Sequence, residues 1–346
     1  MYRVVIIGTG RIFQKHFQSI KSLKKRFKIV GVFDKKLSRN LKSSILCGVP
    51  IYNNYDDLIR DTKPDIVTIL VESGNHLKVC KDIIKKHNTK NFIIEKPLDV
   101  STKKIINFNN FIKHKKVNIF TVKQNRFNKA VIKAKDMIDK NLIGSIFMIS
   151  ASCKWRREQS YYNQDSWRGK RNFDGGVLMN QAIHHIDLLI YLAGEVDSVV
   201  GYGDTRFINI QSENIAVAAM RFKNKSVGIL EATTATSPKD YEGSVTIMGS
   251  KGTIKIGGFA SNKLDFVSNV YKTKINLRKY NSKIGNVYGH GHLEFYKYVN
   301  SFLIGKVKKN KFDVRQAFKS VELVECIVKS FKSKNKIKLE CLSSIS

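Results

Sequence analysis

Three short segments carry residue types whose spacing suits chemistry. Gly8-Thr9-Gly10 lies between an apolar run, Tyr2–Ile7, and a helical stretch over 11–25. The first glycine permits a tight turn, and the second lets the backbone close on a pyrophosphate at the start of a helix. Gly8, Gly10, Arg11 and Ile12 are therefore expected to contact a dinucleotide, although Phe13 stands where the usual third glycine would be. Asp34 ends the second apolar run, 28–33, where a carboxylate accepts hydrogen bonds from both ribose hydroxyls. It would repel a 2′-phosphate, which favours NAD over NADP; Lys35 and Lys36 are the residues that could neutralise one.

Glu95-Lys96-Pro97 follows the fourth apolar run, Asn91–Ile94, at a strand end where ligands of open α/β sheets gather. A lysine there can donate to a substrate hydroxyl, and Pro97 holds the residue before it extended. The plain alternative is one surface lysine among many. Asn180, His184 and Asp187 lie four and three residues apart on a helix expected over 180–192, so they share a face. A histidine whose tautomer is set by a carboxylate is a suitable base. The plain alternative is a buried structural histidine, with Asp187 bonded within its own helix. His184 and His185 point about 100° apart on a helix, which disfavours a metal site made with Asp187. Five widely spaced cysteines without a CxxC pair argue against zinc or disulfides, so no metal is expected and a reducing cytoplasm fits.

The elements that must position these residues change character near residue 123. Apolar runs at 2–7, 28–33, 65–71, 91–94 and 117–122 alternate with helical stretches, the pattern of a parallel sheet covered on both faces. Beyond it come a helix over 130–141 and a strand over 145–153. A loop rich in Arg, Tyr and Trp runs to Gly176, ahead of the 180–192 helix. Strand-like runs at 198–202, 215–222, 226–233, 244–248 and 253–256 follow, with turn signals between several of them, then closing helices over 292–303 and 314–331. The expectation is an α/β chain: a doubly wound parallel Rossmann sheet over 1–122, then an α+β domain over 123–346 with a largely antiparallel sheet. A length of 346 residues suits two such domains.

Composition excludes several classes. Hydrophobic residues are 42% and charged residues 26%, ordinary globular values that exclude a disordered or collagen-like chain. No apolar run reaches the roughly 18 residues of a membrane span, and the first residues read as a strand rather than a signal peptide. The net charge of +34 would suit an anionic partner. The lysines are spread along the chain without interleaved aromatics, and no nucleic-acid-binding motif accompanies them, so composition bias explains the charge better than nucleic acid or membrane.

The strand–GxG start, the EKP triplet and Gly175-Gly176 followed by Asn180-x-x-x-His184-x-x-Asp187 together resemble the Gfo/Idh/MocA oxidoreductases over nearly the whole chain. The resemblance implies a Rossmann domain and an open-faced mixed-sheet domain that forms the substrate floor and the interface of a homodimer or homotetramer. It implies that Lys96 and His184 are catalytic, with Asp187 orienting His184, and that the Lys96–Pro97 bond is cis. Segments 122–128, 154–157, 161–169, 179–181 and 289–296 resemble a subgroup that acts on nucleotide sugars for bacterial surface polysaccharides such as lipopolysaccharide. The implied reaction is NAD-dependent oxidation of a sugar hydroxyl to a ketone, at C3 of a UDP-N-acetyl-glucosaminuronate.

The same resemblance implies further cofactor contacts at Ser73, Asn75, His76, Glu95, Lys96, Gln124, Trp167 and Arg168. It implies substrate contacts at Lys96, Asn125, Arg126, Arg157, Tyr161, Asn180, Gln181, His184, His292 and Tyr296. Arg157 and Arg168 also suit bidentate contact with a phosphate or carboxylate on their own chemistry. Trp155, Tyr161, Tyr162 and Trp167 either wall the site or pack a loop. The rival readings are another pyranose or inositol dehydrogenase of the family and a non-catalytic NAD-binding regulator; intact Lys96 and His184 count against the regulator.

Overall fold

The computed structural model describes residues 1–287 and 289–339. Among the described residues the chain forms two compact units: Met1–Val122 with His292–Phe318, and Lys123–Gly291 with 319–339. Cys341 lies outside the described residues.

The first unit is built on five parallel strands in the order β2-β1-β3-β4-β5. They are β1 (Tyr2–Ile7), β2 (Phe27–Phe33), β3 (Ile66–Ile69), β4 (Asn91–Ile94) and β5 (Asn118–Thr121). Helices α1 (Phe13–Ser22), α2 (Leu37–Cys47), α3 (Tyr55–Thr62), α4 (His76–Lys86) and α5 (Thr102–Ile112) connect them. The strands read as continuous apolar runs because both faces of the sheet are covered, and Val4, Val5, Ile6, Ile66, Val67, Phe92 and Ile93 are fully buried. The strand order reverses between β1 and β3, which opens a crevice at their carboxyl ends. Gly8 follows β1, Glu72 follows β3 and Lys96 follows β4, so the cofactor and EKP segments all leave the sheet at this edge.

The second unit carries eight strands in the order β12-β11-β10-β6-β9-β8-β7-β13. These are β6 (Ile146–Lys154), β7 (Val196–Asp204), β8 (Ile215–Phe222), β9 (Val227–Thr233), β10 (Glu242–Gly249), β11 (Gly252–Gly257), β12 (Lys263–Asn269) and β13 (Ile337–Lys338). Only the β6–β9 pair among them is parallel, so the sheet is mixed and largely antiparallel. Helices α6 (Lys129–Asp139), α7 (Gln159–Asn163) and α8 (Ile183–Ala193) belong to this unit. α8 packs on β6 and β10 and buries all but one of its residues. The opposite face is open: β8 and β9 alternate buried and exposed residues, and Tyr202, Val217 and Ile229 stand exposed on it. Helices α9 (Gly291–Leu303) and α10 (Val314–Ser333) complete the chain. Among the described residues no helix is long and apolar enough to cross a membrane.

The helix expected over 180–192 is split. α8 starts at Ile183, and Val177–Gln181 forms a wider π-helical turn closed by an Ala182 N–H to Val177 carbonyl bond of 2.8 Å. The cause lies beside it. Gly175 and Gly176 enter at positive φ, and Glu213 takes the next two N–H groups, Val177 with its carbonyl and Leu178 with its side chain. Asn180 therefore sits on the wide turn and does not continue the face of His184 with helical spacing.

Candidate active site

At the cofactor end, Gly8 and Gly10 are glycines for different reasons. Gly8 has φ +92°, and a Cβ there would lie 2.6 Å from the Leu70 carbonyl, so conformation and the approach of β3 both require it. A Cβ on Gly10 would find Arg39 Nη1 as its nearest neighbour, at 3.8 Å. Packing does not demand glycine at position 10, and the space beside it leaves room for the close approach of a ligand. α1 begins without a side-chain cap, the kind of helix start that attracts an anion. Arg11 and Ile12 precede its first turn. Asp34 is buried; its Oδ2 accepts from the Thr9 N–H at 2.7 Å and its Oδ1 from the Lys36 N–H at 2.9 Å. The carboxylate thus braces the glycine loop from the side. Lys35 pairs with Glu72.

Ser73 and Asn75 lie on the short turn Ser73–Asn75 that leads into α4. His76, the first residue of α4, is buried, with Nδ1 2.7 Å from the Pro97 carbonyl and Nε2 3.0 Å from the Val71 carbonyl. It ties the loop after β3 to the loop after β4. The Lys96–Pro97 bond is cis.

Glu95 is the centre of a buried cluster in the same unit. Its Oε1 lies 3.0 Å from His16 Nε2 and 3.3 Å from His292 Nε2, and its Oε2 accepts the Lys96 N–H at 2.9 Å. His16 Nδ1 meets the Tyr296 hydroxyl at 2.9 Å. Burial pulls the Glu95 carboxyl upward, but the bonds to His16 and His292 outweigh it and hold the group well below the usual range. Burial lowers the pKa of His292, and a neutral ring still donates its Nε2–H to the carboxylate, so the two shifts are compatible.

This cluster corrects two expectations. His292 and Tyr296 were expected at the substrate, yet both are buried against Glu95 and His16 by the first turns of α9. His16, Glu95 and His292 also offer one ligand atom each within 4.8 Å, a spacing that suits a metal ion. A ring nitrogen whose N–H donates to Glu95 has no lone pair left for an ion, so hydrogen bonding accounts for the same atoms.

In the second unit, His184 is buried on α8 with its Nε2 3.5 Å from Gln124 Nε2. Asp187 does not bond it. The Asp187 carboxylate receives Arg126 through Nε at 2.7 Å and Nη2 at 2.8 Å, Lys123 Nζ, and the Ser320 hydroxyl at 3.3 Å. Burial would raise its pKa, but the Arg126 and Lys123 charges hold it far below the usual carboxylate range. The expected Asp187–His184 pairing is thus replaced, because two charged donors satisfy a buried carboxylate better than a neutral imidazole. Arg126, expected at the substrate, is spent on Asp187. His185 is fully buried, edge-on to Trp155, and burial pushes its pKa down to about 4.

Several expected residues do come together around the π-turn. Asn180 donates to the buried carboxylate of Asp174, and Gln181 Nε2 donates to Asn180 Oδ1 at 3.2 Å and to the Tyr161 hydroxyl at 3.3 Å. Arg168 reaches the same hydroxyl at 2.7 Å, and Arg157 approaches Gln181 Oε1 at 3.4 Å. The Arg168 guanidinium also lies over the Tyr161 and Trp167 rings, at 4.5 and 4.6 Å. Trp155 and Tyr162 are buried packing residues rather than walls. Gln124 Oε1 and Asn125 Nδ2 are buried without a hydrogen-bond partner among the described residues, whereas Arg168 Nε, which makes no hydrogen bond, lies 3.6 Å from the buried Asp165 carboxylate. Buried polar atoms are normally satisfied, so the Gln124 and Asn125 atoms keep capacity for a ligand.

Sequence reasoning passed over His16, Lys123, Asp174 and Glu213. His16 had a readable signal, since it falls on the buried stripe of α1 with Phe13 and Ile20. Lys123 and Glu213 become visible only through contacts distant in sequence, and Asp174 through the local fold that brings Gly169 and Asn180 to its carboxylate.

This architecture is that of a two-domain dehydrogenase, and the comparisons agree. Residues 2–123 match the oxidoreductase family's NAD-binding Rossmann fold, and residues 135–339 match the same family's C-terminal alpha/beta domain. The chain belongs to the Gfo/Idh/MocA oxidoreductases; it is an enzyme, and its cofactor is NAD.

Among solved structures it is similar to the WlbA dehydrogenase of Bordetella pertussis in complex with NADH and UDP-GlcNAcA. Identity is 28%, coverage is 98% of this chain and 99% of that one, and the TM-score is 0.88. The WlbA dehydrogenase of Chromobacterium violaceum, with the same two ligands, is 27% identical over 98% and 96% of the chains, with a TM-score of 0.90. A curated relative, myo-inositol 2-dehydrogenase of Thermotoga maritima, is 25% identical over 85% of this chain and 84% of its own.

Proposed function

We propose that this protein oxidises a hydroxyl of a nucleotide sugar to a ketone with NAD, the substrate being a UDP-N-acetyl-glucosaminuronate and the position C3. The observation that carries this reading is the full-length similarity to two WlbA dehydrogenases held with NADH and UDP-GlcNAcA. The arginine and tyrosine network around Gln181 supports it, since it offers charged donors suited to a diphosphate or a uronic carboxylate.

Bound NAD supplies the hydride acceptor, the nicotinamide ring. The glycine loop, Asp34, Ser73, Asn75 and His76 would hold it, with Gln124, Trp167 and Arg168 as further contacts. The protein must take the hydroxyl proton and steady the charge left on oxygen. His184 is the base, since imidazole is the side chain suited to exchanging a proton at neutral pH. Lys96 donates to the developing alkoxide. Asn125, Arg157, Tyr161, Asn180 and Gln181 bind the sugar nucleotide.

In this reading the enzyme serves lipopolysaccharide sugar synthesis in the cytoplasm. It works as a homodimer or homotetramer, whose interface would cover the exposed Tyr202, Val217 and Ile229. The second reading is a polyol dehydrogenase, favoured by the myo-inositol relative. The test offers UDP-GlcNAcA, UDP-GlcNAc and myo-inositol with NAD and follows NADH formation. Turnover of UDP-GlcNAcA alone is expected; turnover of myo-inositol alone overturns the first reading. Lys96→Met and His184→Ala should each lower kcat about 10²–10⁴-fold, the usual contribution of a positioned acid or base, with NAD affinity kept.

A further inference from the structure

We infer that Glu95, clamped by His16 and His292, is a positioning residue that fixes the backbone of Lys96 for the reaction. The inference rests on the role given to Lys96 above. Lys96 leaves β4 on a short loop, and a lysine side chain has four rotatable carbons. Its head can be aimed only if its main chain is fixed.

Both sides of Lys96 are tied down by groups from other elements. On one side the Glu95 Oε2 accepts the Lys96 N–H at 2.9 Å. On the other, His76 Nδ1 holds the carbonyl of Pro97 at 2.7 Å. The Glu95 side chain would be free to turn about its own bonds were Oε1 not held from α1 by His16 at 3.0 Å and from α9 by His292 at 3.3 Å. The Tyr296 hydroxyl holds the far nitrogen of His16 at 2.9 Å, and Thr68 Oγ1 lies 3.4 Å from that hydroxyl. A chain of bonds thus runs from β3 through α9 and α1 to the Lys96 amide.

The charge logic is consistent along this chain. An ionised Glu95 accepts two N–H donors on Oε1 and one on Oε2. His16 donates from Nε2 and accepts the tyrosine proton on Nδ1, so it needs no charge of its own. The charged and titratable groups bearing on the cluster are Lys15 from α1, Lys96 itself and His76 from α4. A fully buried carboxylate is expensive to keep, and simple packing would be met by an apolar residue. What an apolar residue could not do is accept the Lys96 N–H. Misplacing a reacting group by about 1 Å costs on the order of 100-fold in rate, which sets the scale of benefit.

The decisive measurement needs no substrate. Glu95-Lys96 is the one Glu-Lys step in the sequence, so protein labelled with ¹³C-carbonyl glutamate and ¹⁵N-lysine gives a single doubly labelled amide, that of Lys96. In wild type it should be shifted downfield and exchange slowly with solvent. His292→Leu removes one clamp donor, and His292→Gln restores an amide N–H close to the position of Nε2. Exchange at the Lys96 amide should speed at least tenfold in His292→Leu and recover to within threefold in His292→Gln.

Turnover of UDP-GlcNAcA should follow the same order, with kcat down 10- to 100-fold in the leucine variant and the Kd of NADH within twofold of wild type. Glu95→Gln serves as an independent variant should the leucine variant not fold, with the same expected loss. A Lys96 amide indifferent to all these variants overturns the clamp. An amide that loosens while kcat stays within twofold of wild type overturns its role in the reaction. Loss of the reading for Lys96 itself shows separately, as a Lys96→Met enzyme with wild-type kcat.

Discussion

Two polar clusters of the second unit hold buried carboxylates, one on α8 and one beside the π-turn that precedes it, and they are built on opposite terms. Asp187 is surrounded by Arg126, Lys123 and Ser320, donors that leave its oxygens fully used. Glu213 beside the π-turn takes its side-chain bond from the backbone N–H of Leu178, at 3.2 Å, and has no ion pair among the described residues. The consequence is electrostatic. Asp187 is held ionised far below the usual range by its two cations, whereas burial pushes Glu213 up to about 7. Burial alone therefore does not set the state of an acid; the presence of a permanently charged donor does. The Asp187 cluster is a closed structural post. The cluster at the π-turn leaves Glu213 without a hydrogen-bonded cation among the described residues, so its carboxyl titrates near neutrality.

Breaking the post should give the largest effect. Asp187→Asn removes the buried countercharge that Arg126 and Lys123 share, and such losses cost about 3–5 kcal/mol. Denaturant unfolding should show this cost unchanged from pH 5 to 8, because Asp187 is ionised in both folded and unfolded chains there. It should shrink only as pH falls through the unfolded carboxylate range near 3.8, where the unfolded chain takes up its proton first. A cost that varies between pH 5 and 8 would contradict the closed-post description.

Glu213 should behave in the reverse sense. Its folded pKa of about 7 exceeds the ordinary 4.5, so the folded chain holds the proton that the unfolded chain releases. Stability is lost as pH rises from about 4.5 to 7 and levels off above. Glu213→Gln keeps the acceptor for Leu178 and removes the titration. Relative to wild type it should gain up to about 3 kcal/mol across that window, at 1.36 kcal/mol per pH unit. A difference that is flat with pH would mean that Glu213 is ionised throughout.

The smallest effect separates affinity from stability. Arg168 reaches the Tyr161 hydroxyl and pairs through Nε with Asp165 at 3.6 Å, and in the proposed reading Arg168→Ala should weaken UDP-GlcNAcA or NADH binding by roughly 10- to 150-fold, the value of one charge-assisted contact of about 1.5–3 kcal/mol. Its thermal stability should fall less than that of Arg126→Ala. Arg126→Ala should do the opposite, lowering stability with little direct effect on ligand affinity. Calorimetric titration beside a melting curve distinguishes them, and equal losses of affinity in both variants would erase the contrast between the two clusters.

Most of the fold and part of the site were legible in the sequence. The β1 and β4 bounds, Tyr2–Ile7 and Asn91–Ile94, follow from apolar runs flanked by glycine or by charge, since a strand covered on both faces has to be apolar throughout. The placement of Gly8, Asp34 and Lys96 just beyond the carboxyl ends of strands was legible, a consequence of chain order alone. Helix spacing placed His184 and Asp187 on one face, and the structure keeps them on one helix.

What the sequence by itself determined, then, was the local pattern: where strands and helices run, which residues close them, and which chemical groups stand at the strand ends. Only the tertiary structure decided who bonds whom. Asp187 finds Lys123 and Arg126 from more than sixty positions away, Glu95 finds His292 from nearly two hundred, and Glu213 widens a turn that periodicity reads as plain helix. The reason is physical. Periodicity reports which face of an element is buried, because burial repeats with the geometry of the backbone. A buried polar side chain is satisfied by whatever donor the packed fold brings within about 3 Å, and that distance is not written in the spacing of any one segment.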